Sequence, residues 1–406
     1  MIPFSPPRID EDIIAEVTAA MRSGWITTGP RTRQFEKMLC EFNQNPATLC
    51  VNSATAGLEL ALRWFGVGPG DEVIIPAYTY CATANVVLHC GATPVMLDVC
   101  PDTFNIDVSQ IEEKISACTK CIIPVDIAGL PADYNKIYEI ITHEKVQRKF
   151  TARNANQRKL GRILVLSDAA HSLGALYHGK PTGLLCDITV FSFHAVKNLT
   201  TAEGGAIAFN LPEPFNNTEV YKYCSVLGLH GQNKDALEKT QGKANWKYDI
   251  MMPGYKTNMT DIQAAMGLVE LKRYKNDTLN KRKQIFEHYH KYFDNRDWAI
   301  LPISNTPQCE SSYHVYMLRI RDIDEQTRDA LIHEIFSLGV SVNVHFQPLP
   351  LLSAFKYLGY RIDDFPVAYG NYCNEISLPV YYDLNSELCN TVCEAVAEAY
   401  KRIVAQ

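Results

Sequence analysis

The stretch Ser192-Phe193-His194-Ala195-Val196-Lys197, continuing through Asn198 to Gly205, follows the apolar run Ile188-Thr189-Val190-Phe191. Open α/β sheets gather their ligands at the carboxyl ends of strands, so Lys197 stands where a reactive amine is put to use. A lone lysine after a strand is ordinarily a solvated surface residue. What raises this one is Asp168, which ends an earlier run as Leu166-Ser167-Asp168-Ala169-Ala170-His171-Ser172. A lysine and an acid at two neighbouring strand ends are what pyridoxal phosphate chemistry requires. The amine forms the Schiff base, and the carboxylate keeps the pyridine nitrogen protonated so that the ring is an electron sink.

A phosphate cradle is also available. Asn52-Ser53-Ala54-Thr55-Ala56-Gly57 opens a helix over Leu58 to Trp64, so free backbone N–H groups and hydroxyls face an anion. Taken alone it is an ordinary Ser/Thr helix start. Pro76-Ala77-Tyr78-Thr79-Tyr80 follows the next strand and offers a ring to stack on a cofactor, with core packing the alternative for each tyrosine. The four segments in this order carry the signal.

The elements that must position them are legible from about residue 50 to 210. Strands are read at Glu72–Pro76, Pro94–Asp98, Cys121–Val125, Ile163–Leu166, Ile188–Phe191 and Ala206–Phe209. Helical patterns lie between them, at Ala82–Leu88, from about Val108, and after Pro131. Continuous apolar strands separated by helices predict a mainly parallel sheet covered on both faces. After about residue 255 the pattern changes. Thr260-Asp261-Ile262-Gln263 is a capping box opening a long helix with Ile262, Ala265, Met266 and Val269 on one face. A helix near Gln326–Leu338, a strand Val340–Phe346 and a closing helix near Ser386–Ile403 follow, as in a smaller α+β domain.

The whole chain of 406 residues has 39 Lys+Arg against 45 Asp+Glu, a net charge of -6, and 47% apolar residues. This is the composition of a globular protein of two or three domains, and it lacks the basic footprint of a nucleic-acid binder. No apolar run is long enough to span a membrane, and no secretory signal is visible. The 13 cysteines are scattered, with Cys118-x-x-Cys121 unaccompanied at zinc-site distance, and read as reduced, mostly buried thiols of a cytoplasmic protein; no metal site is expected. Between Lys145 and Arg162 lie seven basic residues and no acid, read as a solvated surface insertion, with anion or partner binding as the alternative.

With these residues in place, the chain closely resembles the sugar aminotransferases of the DegT/DnrJ/StrS family, fold-type I pyridoxal phosphate enzymes, over nearly its whole length. The resemblance is carried by Ser23 to Pro30 (SGWITTGP), Asn52 to Ala56, Asp168 to His171, Ser192 to Gly205, Gly254 to Ile262 and Ser377-Leu378-Pro379. It implies an α/β large domain, residues 1–255, with a mainly parallel seven-stranded sheet between helices. The N-terminal segment is free to pack on the small domain. A long linking helix and a smaller α+β domain make up residues 256–406.

The resemblance further implies that Lys197 is the Schiff-base lysine and proton shuttle, and that Asp168 pairs with the pyridinium. Tyr80 stands for the stacking ring, His171 lies beside the cofactor, and Ala54 (through its backbone), Thr55 and Ser192 hold the phosphate. The Gly254–Met259 loop resembles the stretch that reaches into a neighbouring subunit's site. Many members carry Asn where this chain has Lys256, so either Lys256 or Asn258 is the phosphate partner, and a homodimer with shared sites is expected. Substrate contacts are expected from Ile26, Thr27, Thr28 and Gly29, and from His314 and His345, for which a structural role is the alternative. The basic insertion has no counterpart in shorter members and is expected to loop out without altering the site.

The reaction implied is a ping-pong transamination with L-glutamate as donor and a nucleotide-linked keto-sugar as acceptor, giving an amino-sugar for cell-surface glycans. Members acting at the C4 ketone of UDP-sugars commonly share the patterns found at Ile2-Pro3-Phe4 with Trp25 to Pro30, at Phe193 to Gly205 and at Gly254 to Ile262. A UDP-4-keto-6-deoxy-hexose or 4-keto-pentose is therefore favoured over a 3-keto dTDP-sugar. Two other classes compete. A pyridoxal- or pyridoxamine-phosphate sugar dehydratase has histidine where this chain has Lys197, and a non-catalytic cofactor-binding protein has no need of both Lys197 and Asp168.

Overall fold

The apolar runs pair into one sheet in the computed structural model, which describes residues 1–234, 237 and 247–405. Its strands are β1 (Ala47–Val51), β2 (Glu72–Pro76), β3 (Thr93–Leu97), β4 (Thr119–Ile122), β5 (Leu164–Asp168), β6 (Ile188–Ser192) and β7 (Gly205–Phe209). They lie in the order β1-β7-β6-β5-β4-β2-β3. β7 runs antiparallel to both its neighbours, and the other pairs are parallel. Every residue of β1, β5 and β7 is buried, as a sheet covered on both faces demands. The fold is therefore the mainly parallel α/β architecture that the apolar runs predict, with the seven strands that the resemblance implies; β1 is absent from the strands read from the runs alone. All thirteen cysteines are free and seven are buried.

The C-terminal part builds a three-stranded antiparallel sheet from β8 (Ala299–Ile300), β9 (Tyr316–Ile320) and β10 (Glu375–Leu378), in the order β8-β9-β10. Helices Leu279–Phe293, Glu325–Ser337 and Ser386–Ile403 cover it around Phe286, Tyr289, Tyr316, Leu331 and Val392. Ile2 joins this core and pairs in parallel with Val340.

Three expectations are corrected. The segment Val340–Phe346 is not a strand: it makes single bridges at Val340 and Asn343. Its amides turn to side chains instead of a ladder, Val344 N–H to Asn343 Oδ1 (2.8 Å) and His345 N–H to Glu375 Oε2 (3.0 Å). The capping-box helix, Asp261–Arg273, buries Asp261, Ala264, Ala265, Gly267, Leu268 and Leu271; of the expected face only Ala265 is buried, and Ile262, Met266 and Val269 are half-buried. The cause is Asp261, whose carboxylate accepts from the amides of Gly29, Arg31 and Thr32 at 2.8, 3.1 and 2.9 Å and so sets the helix rotation. Gly267 then meets the Phe35 ring so closely that a Cβ would collide with it at 2.5 Å.

The basic segment 145–162 does not loop out. It forms helices Glu144–Gln147 and Ala155–Leu160, and its amides cap the last carbonyls of the helix Ala54–Phe65. Asn154 and Gln157 donate to the Phe65 carbonyl at 2.9 and 3.1 Å, and Asn156 to that of Trp64 at 2.8 Å. Its cations are largely paired: Arg153 with buried Asp71 at 3.0 Å, Arg162 with both oxygens of buried Asp187 at 2.7 Å, and Lys145 with Glu112 at 3.2 Å. Orphan helix-end carbonyls need donors, and this segment supplies them.

Candidate active site

A cavity of about 470 Å³ opens beyond the carboxyl ends of the parallel strands. Nine of the residues expected at the site line it: Ala54, Thr55, Tyr80, Asp168, His171, Ser192, Lys197, His314 and His345. β5 ends on Asp168 and β6 on Ser192, and the turn after β6 carries Lys197. Chain distance is thus spanned by strand neighbours.

Asp168 is buried, and Thr83 Oγ1 donates to its Oδ2 at 2.8 Å while the Ala170 amide donates to Oδ1 at 3.3 Å. Burial pushes its carboxyl up from the ordinary value; those two bonds and the Lys197 charge pull it back. Desolvation brings the Lys197 ammonium down to about 8, with Asp168 opposing. A buried carboxyl therefore faces an amine that exchanges its proton close to neutral pH.

Three neutral histidines complete one wall. His171 Nδ1 accepts from the Ala128 amide at 3.2 Å, which leaves its proton on Nε2. Burial and the Lys197 charge hold it well below the usual imidazole range. His314 Nδ1 lies 2.7 Å from Asn198 Oδ1, and Asn198 spends its own N–H on the Ser312 carbonyl at 2.7 Å, so His314 is the donor. Burial, then the neighbouring His171 and Lys197, hold His314 low as well. The two rings lie 4.4 Å apart, and His171 stacks on Phe346 at 5.8 Å. Burial brings His345 down to about 3.

The opposite end is an anion cradle. Ser53 Oγ accepts from the Ala56 amide at 3.1 Å, capping the helix Ala54–Phe65. The amides of Ala54 and Thr55 have no acceptor among the described residues. Gly205 passes so close that a Cβ there would lie 2.6 Å from the Ala54 nitrogen. These groups fit pyridoxal phosphate: unpaired helix amides with Thr55 and Ser192 for the phosphate, buried Asp168 for the ring nitrogen, and Lys197 for the aldehyde.

The remaining expected residues do not line this cavity. Lys256, Asn258, Ile26, Thr27, Thr28 and Gly29 gather in a second cluster, where Lys256 bonds to Asn258 Oδ1 and Asn258 Nδ2 donates to Thr28 Oγ1 at 2.6 Å. Gly29 is held there by Asp261, and Ile26 is exposed. Tyr80 lies at the cavity rim, 61% exposed, with its ring 6.0 Å from that of Phe346.

Sequence reasoning missed Thr83, Asn198, Phe346 and Glu375. Thr83 sits in the first turn of the helix Ala82–His89 and bonds to Thr79, four residues earlier in the loop after β2, at 3.0 Å. Glu375 opens the run Ile376-Ser377-Leu378, whose Ile376 and Leu378 are apolar, and an acid in a buried strand is itself a signal.

A profile of the DegT/DnrJ/EryC1/StrS aminotransferase family matches residues 7–397. SpsC, a spore coat polysaccharide biosynthesis protein of Bacillus subtilis, is 35% identical over 98% of this chain and 97% of its own. Spr1654 of Streptococcus pneumoniae, assigned as a sugar aminotransferase, has been solved with pyridoxamine phosphate. It superposes with a TM-score of 0.95 at 45% identity, covering 100% of both chains. Helicobacter pylori PseC, an aminotransferase of pseudoaminic acid biosynthesis, gives 0.84 at 27% identity over 99% of both. Matched from near its first residue to near its last, this chain belongs to the DegT/DnrJ/EryC1/StrS aminotransferase family and is a pyridoxal phosphate-dependent enzyme.

Proposed function

We propose that the protein moves the amino group of L-glutamate to the ketone of a nucleotide-linked sugar, favouring a UDP-4-keto-6-deoxy-hexose or 4-keto-pentose, and so feeds cell-surface glycan synthesis. The observation that carries the transfer is the Lys197–Asp168 pair at the ends of β6 and β5, within one cavity. The sugar is supported by the character of the walls. Neutral His171, His314 and His345, with Tyr80 and the rings of Phe4 and Phe346, suit hydroxyl groups and the apolar faces of a pyranose. SpsC and PseC, named for polysaccharide and sugar-acid synthesis, support the same reading.

Bound pyridoxal phosphate supplies the electron sink. Asp168 holds a proton against the ring nitrogen, positioned by Thr83. Lys197 Nζ takes and returns a proton near neutral pH. Ala54, Thr55 and Ser192 anchor the phosphate. We assign Lys256, Asn258 and the Ile26–Gly29 turn to the site of a second copy. None of them lines the cavity of its own chain, although the Thr257 carbonyl accepts from the Asn52 amide beside the cradle at 2.7 Å, and the half-buried apolar side chains Ile262, Met266 and Val269 add support for this homodimer. Thirteen free cysteines support a cytoplasmic location.

The test is a single turnover followed by absorbance. The protein is converted to its pyridoxamine form with L-glutamate, freed of excess, and given UDP-4-keto-6-deoxy-N-acetylhexosamine. Return of the pyridoxal-form band in proportion to the sugar is expected. A glutamate step that works while this sugar leaves the spectrum unchanged would narrow the assignment to the 4-keto-pentose or move it to a 3-keto or dTDP substrate.

A further inference from the structure

We propose that Glu375, Ser377 and His345 form a proton relay that opens on the active-site cavity at His345 Nε2. It serves the oxygen atom exchanged for nitrogen in each half of the reaction. The inference rests on the transamination reading, but not on which sugar is the acceptor.

The chain of contacts is continuous. Glu375 is fully buried at the start of β10, and its Oε2 accepts from the His345 amide at 3.0 Å. Its Oε1 lies 2.5 Å from Ser377 Oγ, which lies 2.9 Å from His345 Nδ1. His345 lines the cavity, and its Nε2 has no partner among the described residues. The ring is held in place by Phe4, stacked at 5.5 Å, and by Phe346 at 5.0 Å. Tyr78 donates to the His345 carbonyl at 2.8 Å.

Such a chain has two polarities. With Glu375 ionised, Ser377 donates to it and His345 Nδ1–H donates to Ser377, which leaves Nε2 as an acceptor. With Glu375 protonated, it donates to Ser377, Ser377 donates to Nδ1, and Nε2 carries the proton. The charges facing Glu375 are Arg328 and Arg319, with Tyr78 beside them; Lys197 is the charge facing His345. Burial pushes the Glu375 carboxyl up to about 8, while His345 stays near 3. The relay therefore exchanges a proton near neutral pH without creating an imidazolium.

Replacing C=O by C=N makes one C–N bond, breaks the C–O bond, and sends the oxygen out as water with two protons that began on the amine nitrogen. Nε2 accepts one of them, Nδ1 passes its own to Ser377, and Ser377 passes its own to Glu375. The reverse sequence delivers a proton to the departing oxygen, so the relay ends unchanged. The glutamate half, in which water enters and a keto acid leaves, runs the same exchange backwards.

The ring-nitrogen NMR signals of His345 in the intact protein test this directly. The proton is expected on Nε2 at low pH and on Nδ1 at high pH, with a midpoint near 8. In Glu375→Gln the amide oxygen is claimed by the His345 N–H, so the NH2 faces Ser377 and donates to it, and the proton should stay on Nε2 throughout. Ser377→Ala should slow the single-turnover glutamate half-reaction by about 10²-fold with the glutamate dissociation constant unchanged. A wild-type tautomer that does not respond to pH, or wild-type rates in Ser377→Ala, would overturn the relay. A wild-type protein that reacts with glutamate but with no keto-sugar would instead overturn the acceptor reading and leave the relay standing.

Discussion

Thr83 donates its hydroxyl to Asp168 across 85 residues of chain at 2.8 Å, and so orients the carboxylate that we assign to the cofactor's ring nitrogen. Thr83 is itself fully buried and bonded to Thr79 at 3.0 Å, so its rotamer is fixed. Thr83→Val keeps the volume and removes the donor, leaving Asp168 with the Ala170 amide. A buried acceptor deprived of its donor costs about 1–3 kcal/mol. Pyridoxal phosphate should dissociate about 5- to 150-fold more readily by fluorescence titration; an unchanged constant would remove Thr83 from the cofactor site.

The amine of Lys197 is held down to about 8 by desolvation. Only the neutral amine attacks an aldehyde, so capture of pyridoxal phosphate by the apo-protein should accelerate as pH rises through about 8 and then level off. Stopped-flow absorbance reads this. A midpoint at the value of a free lysine side chain would contradict the buried placement, and Lys197→Ala should abolish both capture and turnover.

Sharing of sites between two copies is open to complementation. On the proposed assignment, Lys197→Ala should disable its own cavity and the double variant Lys256→Ala/Asn258→Ala that of its partner. Co-expressed hybrids should each retain one complete site and recover roughly half of the wild-type activity per dimer. Hybrids as inactive as their parents would place Lys256 and Asn258 outside the shared site.

Gln157 is fully buried in the basic segment, caps the Phe65 carbonyl, and accepts from the Arg153 amide at 2.8 Å. Gln157→Leu strips both bonds and should lower stability by about 1–3 kcal/mol, read as a lower denaturant midpoint. Turnover at temperatures where the variant is folded should stay at the wild-type level. A variant as stable as the parent would return this segment to the status of a solvated loop.

Glu375 also couples stability to pH. Its carboxyl is raised in the folded protein from 4.5 to about 8, so the folded state binds a proton that the unfolded state has already released. Its contribution is full below pH 4.5 and is lost as pH rises through about 8. Denaturation at a series of pH values should show that decline in the wild-type protein, and Glu375→Gln should flatten it. An equal slope in the two proteins would show that Glu375 is ionised at neutral pH.

Local chemistry was readable in the chain wherever a function needs a fixed residue beside a strand end. The strands follow from continuous apolar runs such as Leu164–Val165–Leu166, though not their order in the sheet, and the cradle from Ser53, Ala54 and Thr55 at a helix start. Lys197 and Asp168 could be paired because parallel strands bring their carboxyl ends to one edge whatever the intervening length. The rotation of the helix Asp261–Arg273 could not be read this way. Hydrophobic spacing favoured Ile262, Ala265, Met266 and Val269, of which only Ala265 is buried, and three amides seeking an acceptor pulled Asp261 inward.

The basic segment misled for a related reason. Its charges outweighed Asn154, Asn156 and Gln157, whose partners are backbone carbonyls of a helix about ninety positions earlier. The Glu375–Ser377–His345 contact was equally hidden, since β10 and the Val340–Phe346 segment meet only through side chains and single bridges. Patterns along a chain report which faces are apolar and which turns are tight. Which buried donor meets which buried acceptor is decided only when distant segments share one interior, because the cost of an unpaired polar group is incurred there and nowhere earlier.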